Sequence, residues 1–125
     1  MNNLLEAAKQ LSDYWSPRVV GQINDQYVKV AKVKGELVWH KHDLEDEMFF
    51  ILEGRLRIEY EDGHYVDLEQ GDMHIVPRGT MHNPVCDEEC LLALIEPAGT
   101  QHTGDEVTEK TVSVSRQLHG FKKEG

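Results

Sequence analysis

A chain of 125 residues with 13 basic against 23 acidic side chains, a formal net charge of −10, has room for one hydrophobic core and offers no basic surface to nucleic acid or anionic membranes. Its start, MNNLLEAAKQL, carries an acid early and lacks an apolar run of signal-peptide length. No segment approaches the roughly 18 apolar residues of a membrane span, so a cytoplasmic protein is expected. The cysteines Cys86 and Cys90 form no zinc-finger pattern, and in a reducing compartment they read first as small semi-buried side chains and only second as a redox pair.

Residues 3–13 place Leu4, Leu5, Ala8 and Leu11 at helical spacing after an asparagine that can cap, which predicts a short N-terminal helix stopped by Pro17. Beyond it the period changes to two. Segments 26–33, 36–42, 47–52, 55–60, 64–68, 73–77 and 90–96 read as seven short strands, and Asp62–Gly63 is the strongest hairpin signal between them. Short strands joined by tight turns predict an all-β fold, an antiparallel barrel or sandwich. Residues 1–25 then form a helix and arm, 26–98 the barrel, and 99–125 an added edge strand near 111–115 with a tail, all within one domain. Segment 47–52 is apolar on both faces, with Glu47, Phe49 and Ile51 on one and Met48, Phe50 and Leu52 on the other. Its outer face needs a cover, either the N-terminal segment or a second copy of the chain, and a homodimer is expected.

Alternation also places chemistry. Residues i and i+2 of a strand point the same way, about 6.6 to 6.8 Å apart, so His40 and His42 share a face with Val38, while Leu37, Trp39 and Lys41 point away. Glu47, opening the next strand, is the carboxylate best placed to join them. Asp43, Glu45 and Asp46 read as solvated loop charges. The turn Pro77–Arg78–Gly79 can feed His82 back toward the same wall as a third imidazole. Three neutral nitrogens and one carboxylate suit one divalent transition metal, with Fe, Mn, Ni, Co and Zn all compatible, and a cation would compensate polar groups set against a core strand. Of the other histidines, His64 reads as an exposed turn residue, His74 as a structural neighbour of the site and His102 as a loop residue, while Trp39 reads as packing.

Residues 35–54 and 71–82 resemble the two motifs of the cupin superfamily. Gly35, His40, His42, Glu47 and Gly54 match the first, and Gly71, Pro77, Gly79 and His82 match the second. Gly35 stands one residue closer to His40 than is usual, and Cys86 occupies a place commonly held by asparagine; neither departure removes a ligand. The resemblance implies a small jelly-roll β-barrel in which His40, His42, Glu47 and His82 are the metal ligands. It is compatible with dioxygenases, decarboxylases, sugar-phosphate isomerases and binding modules without catalysis. An apolar wall from Phe49, Ile51, Leu56, Ile58 and the region of Met81 suits a small chelating organic molecule, with Glu47 doubling as the catalytic residue. Dioxygenase-type chemistry ranks ahead of a sugar-phosphate isomerase, because Arg78 is the one cation beside a ligand-bearing loop. A non-catalytic, metal-dependent metabolite-binding module is the alternative.

Overall fold

Antiparallel pairing accounts for nearly all of the architecture in the computed structural model, which describes residues 2–98, 114–118 and 121. The elements in chain order are α1 (Leu4–Lys9), β1 (Arg18–Ile23), β2 (Gln26–Glu36), β3 (Glu47–Glu53), β4 (Arg55–Tyr60), β5 (Tyr65–Glu69), β6 (Met73–Val76), β7 (His82–Pro97) and α2 (Val114–Gln117). The long strand β7 organises the rest. Its start pairs with β4, setting His82 opposite Tyr60, and its later part pairs with β3, setting Leu94 opposite Phe49. β2 runs along both parts, and the order β1-β2-β7-β3-β6 is completed by β4 on β7 and β5 on β4. Register shifts at Val33/Gly35 and at Ile51/Glu53 bend the ladder, so that the sheet curls around one interior. This is the all-β, antiparallel cupin-like fold with a short N-terminal helix that the sequence predicts.

Alternation decides what faces inward. On β3, Glu47, Phe49 and Ile51 are buried while Met48, Phe50 and Leu52 are half-buried. Phe49 and Ile51 join Ala31, Val33, Leu56 and Ile58 in the principal core. On the opposite face, α1 lays Ala8 against Val30 and Leu91, with Leu52 and Val20 at the margin, so the helix covers one end of the outer face of β3. The Asn3 side chain caps α1 by accepting from the Glu6 amide at 2.9 Å. The helix ends at Lys9, short of residue 13, and Leu11 packs onto the same cluster from beyond it.

Segment 36–42 is not a strand. Glu36 closes β2, and beyond it only His40 makes an isolated bridge, to His82. Without a ladder the two-residue rule fails locally, and Leu37, expected to point away from the histidines, is buried. The strand missed in its place is β1, whose Gly21 and register shift between Val19 and Gly21 obscure the alternation. Of the segment expected to add an edge strand, residues 111–113 lie outside the described residues and residues 114–115 begin α2. His102 also lies outside them. Cys86 and Cys90 are free; burial pushes their thiols up to about 11 and about 12, so both stay protonated near neutral pH. Among the described residues no helix is long and apolar enough to cross a membrane.

Two glycines with the same backbone angle separate strain from crowding. Gly54 and Gly63 both have φ of +94°, but a Cβ on Gly54 would stand 2.9 Å from the Glu89 carbonyl oxygen, whereas one on Gly63 meets nothing within 4 Å. Gly63→Ala should therefore cost about 1 kcal/mol of left-handed strain, and Gly54→Ala about 2–4 kcal/mol because backbone must also shift. Urea unfolding midpoints check this, and equal losses would contradict the close approach.

Candidate metal centre

Four buried side chains converge where the sheet folds over itself. His40 comes from the irregular stretch after β2, His42 from the turn before β3, Glu47 from the first residue of β3 and His82 from the first residue of β7. Backbone pairing locks this junction. The His40 amide donates to the His82 carbonyl at 3.0 Å and the His82 amide returns the bond at 2.9 Å, while the Gly79 amide donates to the His42 carbonyl at 2.7 Å. Asp46, expected to be a solvated loop charge, accepts from the Arg78 amide at 2.8 Å and ties the two ligand-bearing loops together.

Ring orientation is set from behind. Nδ1 of His40 donates to the Val38 carbonyl at 2.7 Å and Nδ1 of His82 to the Thr80 carbonyl at 2.9 Å, which leaves each Nε2 with its lone pair facing inward. Nε2 of His40, His42 and His82 are all buried and have no hydrogen-bond partner. One ligand atom from each of His40, His42, Glu47 and His82 lies within 4.8 Å of all the others. Buried imidazole nitrogens aimed at one another around a carboxylate are what a shared cation requires, so the donor set fits a metal ion and these residues could hold one. The four candidate ligands named from the sequence are the four that the fold brings together.

The electrostatics follow from the burial. His40 is pulled down to about 4, first by burial and then by the neighbouring His82, so it is neutral and ready to donate a lone pair. Burial also pulls His42 down, but the Glu47 carboxylate outweighs it and leaves His42 raised. For Glu47 burial pushes upward, yet the hydrogen bond from Glu96 and the nearby imidazoles win and hold the carboxyl well below the usual range. Glu96, by contrast, is pushed well above it by burial and by the Glu47 charge, with Lys29 offsetting only part of this. Two carboxylates in hydrogen-bond contact must share a proton, so the pair carries about one negative charge.

Beside the centre lies a small cavity of about 30 Å³, more than a single water needs. His40 and Glu47 form its polar end, and Trp15, Leu37, Phe49 and Leu94 contribute to an apolar wall. Phe49 and Leu56 are wall residues as expected, but Ile51, Ile58 and Met81 are not among its lining. Trp15 was missed. It sits at φ of +57°, held by its amide to the Lys32 carbonyl at 2.9 Å and by its indole Nε1 to the Lys34 carbonyl at 2.8 Å, and no local pattern in "DYWSP" announces these distant partners. His74 accepts from the Tyr60 hydroxyl at 2.6 Å, which gives it a structural role, and exposed His64 pairs with Asp62 in the hairpin. Trp39 is 42% exposed and is not part of the cavity wall.

With the geometry established, the likeness to known proteins carries weight. Residues 27–96, more than half of the chain, match the cupin domain family. The uncharacterized protein YdbB of Bacillus subtilis is 35% identical over 82 residues, which cover 66% of this chain and 73% of YdbB. A cupin-2 domain containing protein from Shewanella frigidimarina superposes with a TM-score of 0.74 at 39% identity, covering 78% of this chain and 94% of that one. A hydroquinone 1,2-dioxygenase crystallised with Cd2+ and 4-hydroxybenzonitrile has a TM-score of 0.68 over 86% of this chain and 77% of its own, but at 19% identity it is a likeness of fold alone. Family match, barrel topology and the junction of two motif loops at one buried donor set agree: this chain belongs to the cupin domain family.

Proposed function

We propose that the chain binds one divalent transition metal through His40, His42, Glu47 and His82 and uses it on a small chelating organic molecule, with dioxygenase-type chemistry favoured. The observation that carries this reading is the set of three buried, unpartnered imidazole Nε2 atoms around one carboxylate, opening onto an apolar cavity. A bound ion of this class supplies Lewis acidity and, as iron, reactivity toward dioxygen. The apolar wall argues against a sugar phosphate, whose charge needs cations at the pocket; Arg78 is exposed and Lys29 is engaged with Glu96.

Each residue then has a task. The Val38 and Thr80 carbonyls hold His40 and His82 in the tautomer that presents Nε2. Glu47 offsets cation charge, and its carboxylate is the acceptor for a proton from a hydroxyl or enol of the substrate, which makes it the catalytic residue. Trp15, Leu37 and Phe49 exclude water and select an apolar body behind the chelating head. Trp15 and Pro17, on the irregular arm between α1 and β1, and Leu37, just past β2, are wall residues outside any helix or strand, so this side of the wall is the one that can adjust to an incoming molecule.

Elemental analysis of the metal-loaded protein should give about one ion per chain, and His82→Ala should weaken binding at least tenfold, a loss of about 1.4 kcal/mol or more. Unchanged affinity in that variant removes His82 from the set. Binding should also tighten with pH. His42 holds its proton above the usual range until metal displaces it, so affinity is lower at pH 6 than at pH 8; His40, neutral above about 4, adds nothing in that window. Flat affinity from pH 6 to 8 would contradict this assignment.

Oxygen consumption by iron-loaded protein over a panel of keto, hydroxy and enol acids tests the reaction class. Turnover of at least one compound is expected, with Glu47→Gln losing more turnover than metal. Tight metal-dependent binding of a compound that is never converted would instead identify a non-catalytic binding module.

The homodimer expectation belongs to this reading too. Met73 and Ile75 on edge strand β6 are 51% and 49% exposed beside half-buried Met48 and Phe50, and α1 reaches only the Leu52 end of this face. Light scattering should give twice the chain mass. A monomer at high micromolar concentration would mean that this face is not an interface between copies.

A further inference from the structure

Behind Glu47 lies a charged row that the proposed chemistry does not use. Lys29 on β2 and Glu96 on β7 are both fully buried, with Lys29 Nζ 2.7 Å from Glu96 Oε1, and the Glu96 carboxyl stands beside the Glu47 carboxylate on β3, close enough for each to shift the other's pKa. The row crosses three neighbouring strands on the inner face. Tyr27 opposite Glu96 and Met48 opposite Ile95 fix the registers that bring Lys29, Glu96 and Glu47 side by side.

Stability alone does not account for this placement. Removing a charged group from water costs several kcal/mol, and buried ionic clusters are often replaced by apolar residues of similar volume without loss. Lys29 and Glu96 nevertheless sit on an inner sheet face with Ala31, Val33, Leu92 and Leu94 as their apolar continuation. Glu47, for its part, needs an anchor. Its oxygen lies 3.7 Å from His42 Nε2 and 3.8 Å from His82 Nε2, beyond ordinary hydrogen-bond reach, so the imidazoles do not fix its rotamer.

We infer that the Lys29–Glu96 pair positions the Glu47 carboxylate for metal binding, with Lys29 holding Glu96 and Glu96 holding Glu47. The inference rests on the metal reading above. Neither Lys29 nor Glu96 touches the ion; both act through Glu47. Partners of this kind, one bond removed from a ligand, typically change metal affinity 10- to 100-fold when lost.

The test uses the full chain, freed of metal and titrated with Co(II) alone, read by calorimetry and by the visible absorption bands of the bound ion. The double variant K29M/E96L replaces both polar side chains with apolar ones and should fold, yet bind Co(II) about 10- to 100-fold more weakly and with shifted bands. E96D keeps the carboxyl group but, one methylene shorter, cannot reach both partners; it should lose affinity about 3- to 10-fold with a smaller band shift. E96D decides the matter if the double variant does not fold. Parent-like affinity and bands in either folded variant overturn the inference while leaving the metal reading intact. Absence of Co(II) binding by the parent overturns both.

Discussion

Three imidazole nitrogens buried without hydrogen-bond partners are the constraint around which this molecule is arranged. Each unpartnered buried polar atom costs about 1–3 kcal/mol, and three together approach the whole net stability of a small domain. The fold nevertheless holds His40 and His82 by their backbones and by their Nδ1 atoms, so the lone pairs cannot turn away to find water. A divalent ion shared by them would offset the deficit, since structural metal binding contributes on the order of 10 kcal/mol. The lowered His40 pKa follows from the same burial: an imidazole that cannot be solvated stays neutral, the form a metal takes.

β7 is the element that makes such crowding feasible. One strand carries His82 at its first residue and Glu96 near its last, and its bends let β4 pair with one part and β3 with another. Glu47 thereby meets His82 from the loop side and Glu96 from the sheet side, and the centre is built into the curl of the sheet. The apolar core beneath it, from Phe49 to Leu94, serves as both packing and pocket wall. Changes to the wall are therefore expected to alter stability and ligand choice together.

What could be read in advance, and what could not, divides by the range of the interactions. The His-x-His pair, Glu47 and His82 are marked by local spacing and by the glycine and proline turns around them, and these four are found together. Segment 55–60, which alternates cleanly, and segment 47–52, an apolar run on both faces, were legible as strands, as was the Asp62–Gly63 turn with Gly63 at positive φ. Segment 36–42 alternates as well but has no partner along most of its length, so pattern without a neighbour misled. Lys29 and Glu96 are polar letters in apolar strands; alternation sets them on the inner face with Ala31, Val33, Leu92 and Leu94, but that a lysine and a glutamate stay buried there depends on their meeting across β2 and β7, which no local pattern announces. Trp15 likewise owes its position to carbonyls on β2 that no nearby residue reveals.

Anomalous diffraction from crystals of the cobalt-loaded protein tests the central claim most directly. The account predicts a single strong peak per chain at roughly 2.0–2.3 Å from His40 Nε2, His42 Nε2, His82 Nε2 and a Glu47 oxygen. A peak held by other residues, or none at this junction with cobalt present in the crystal, would contradict it.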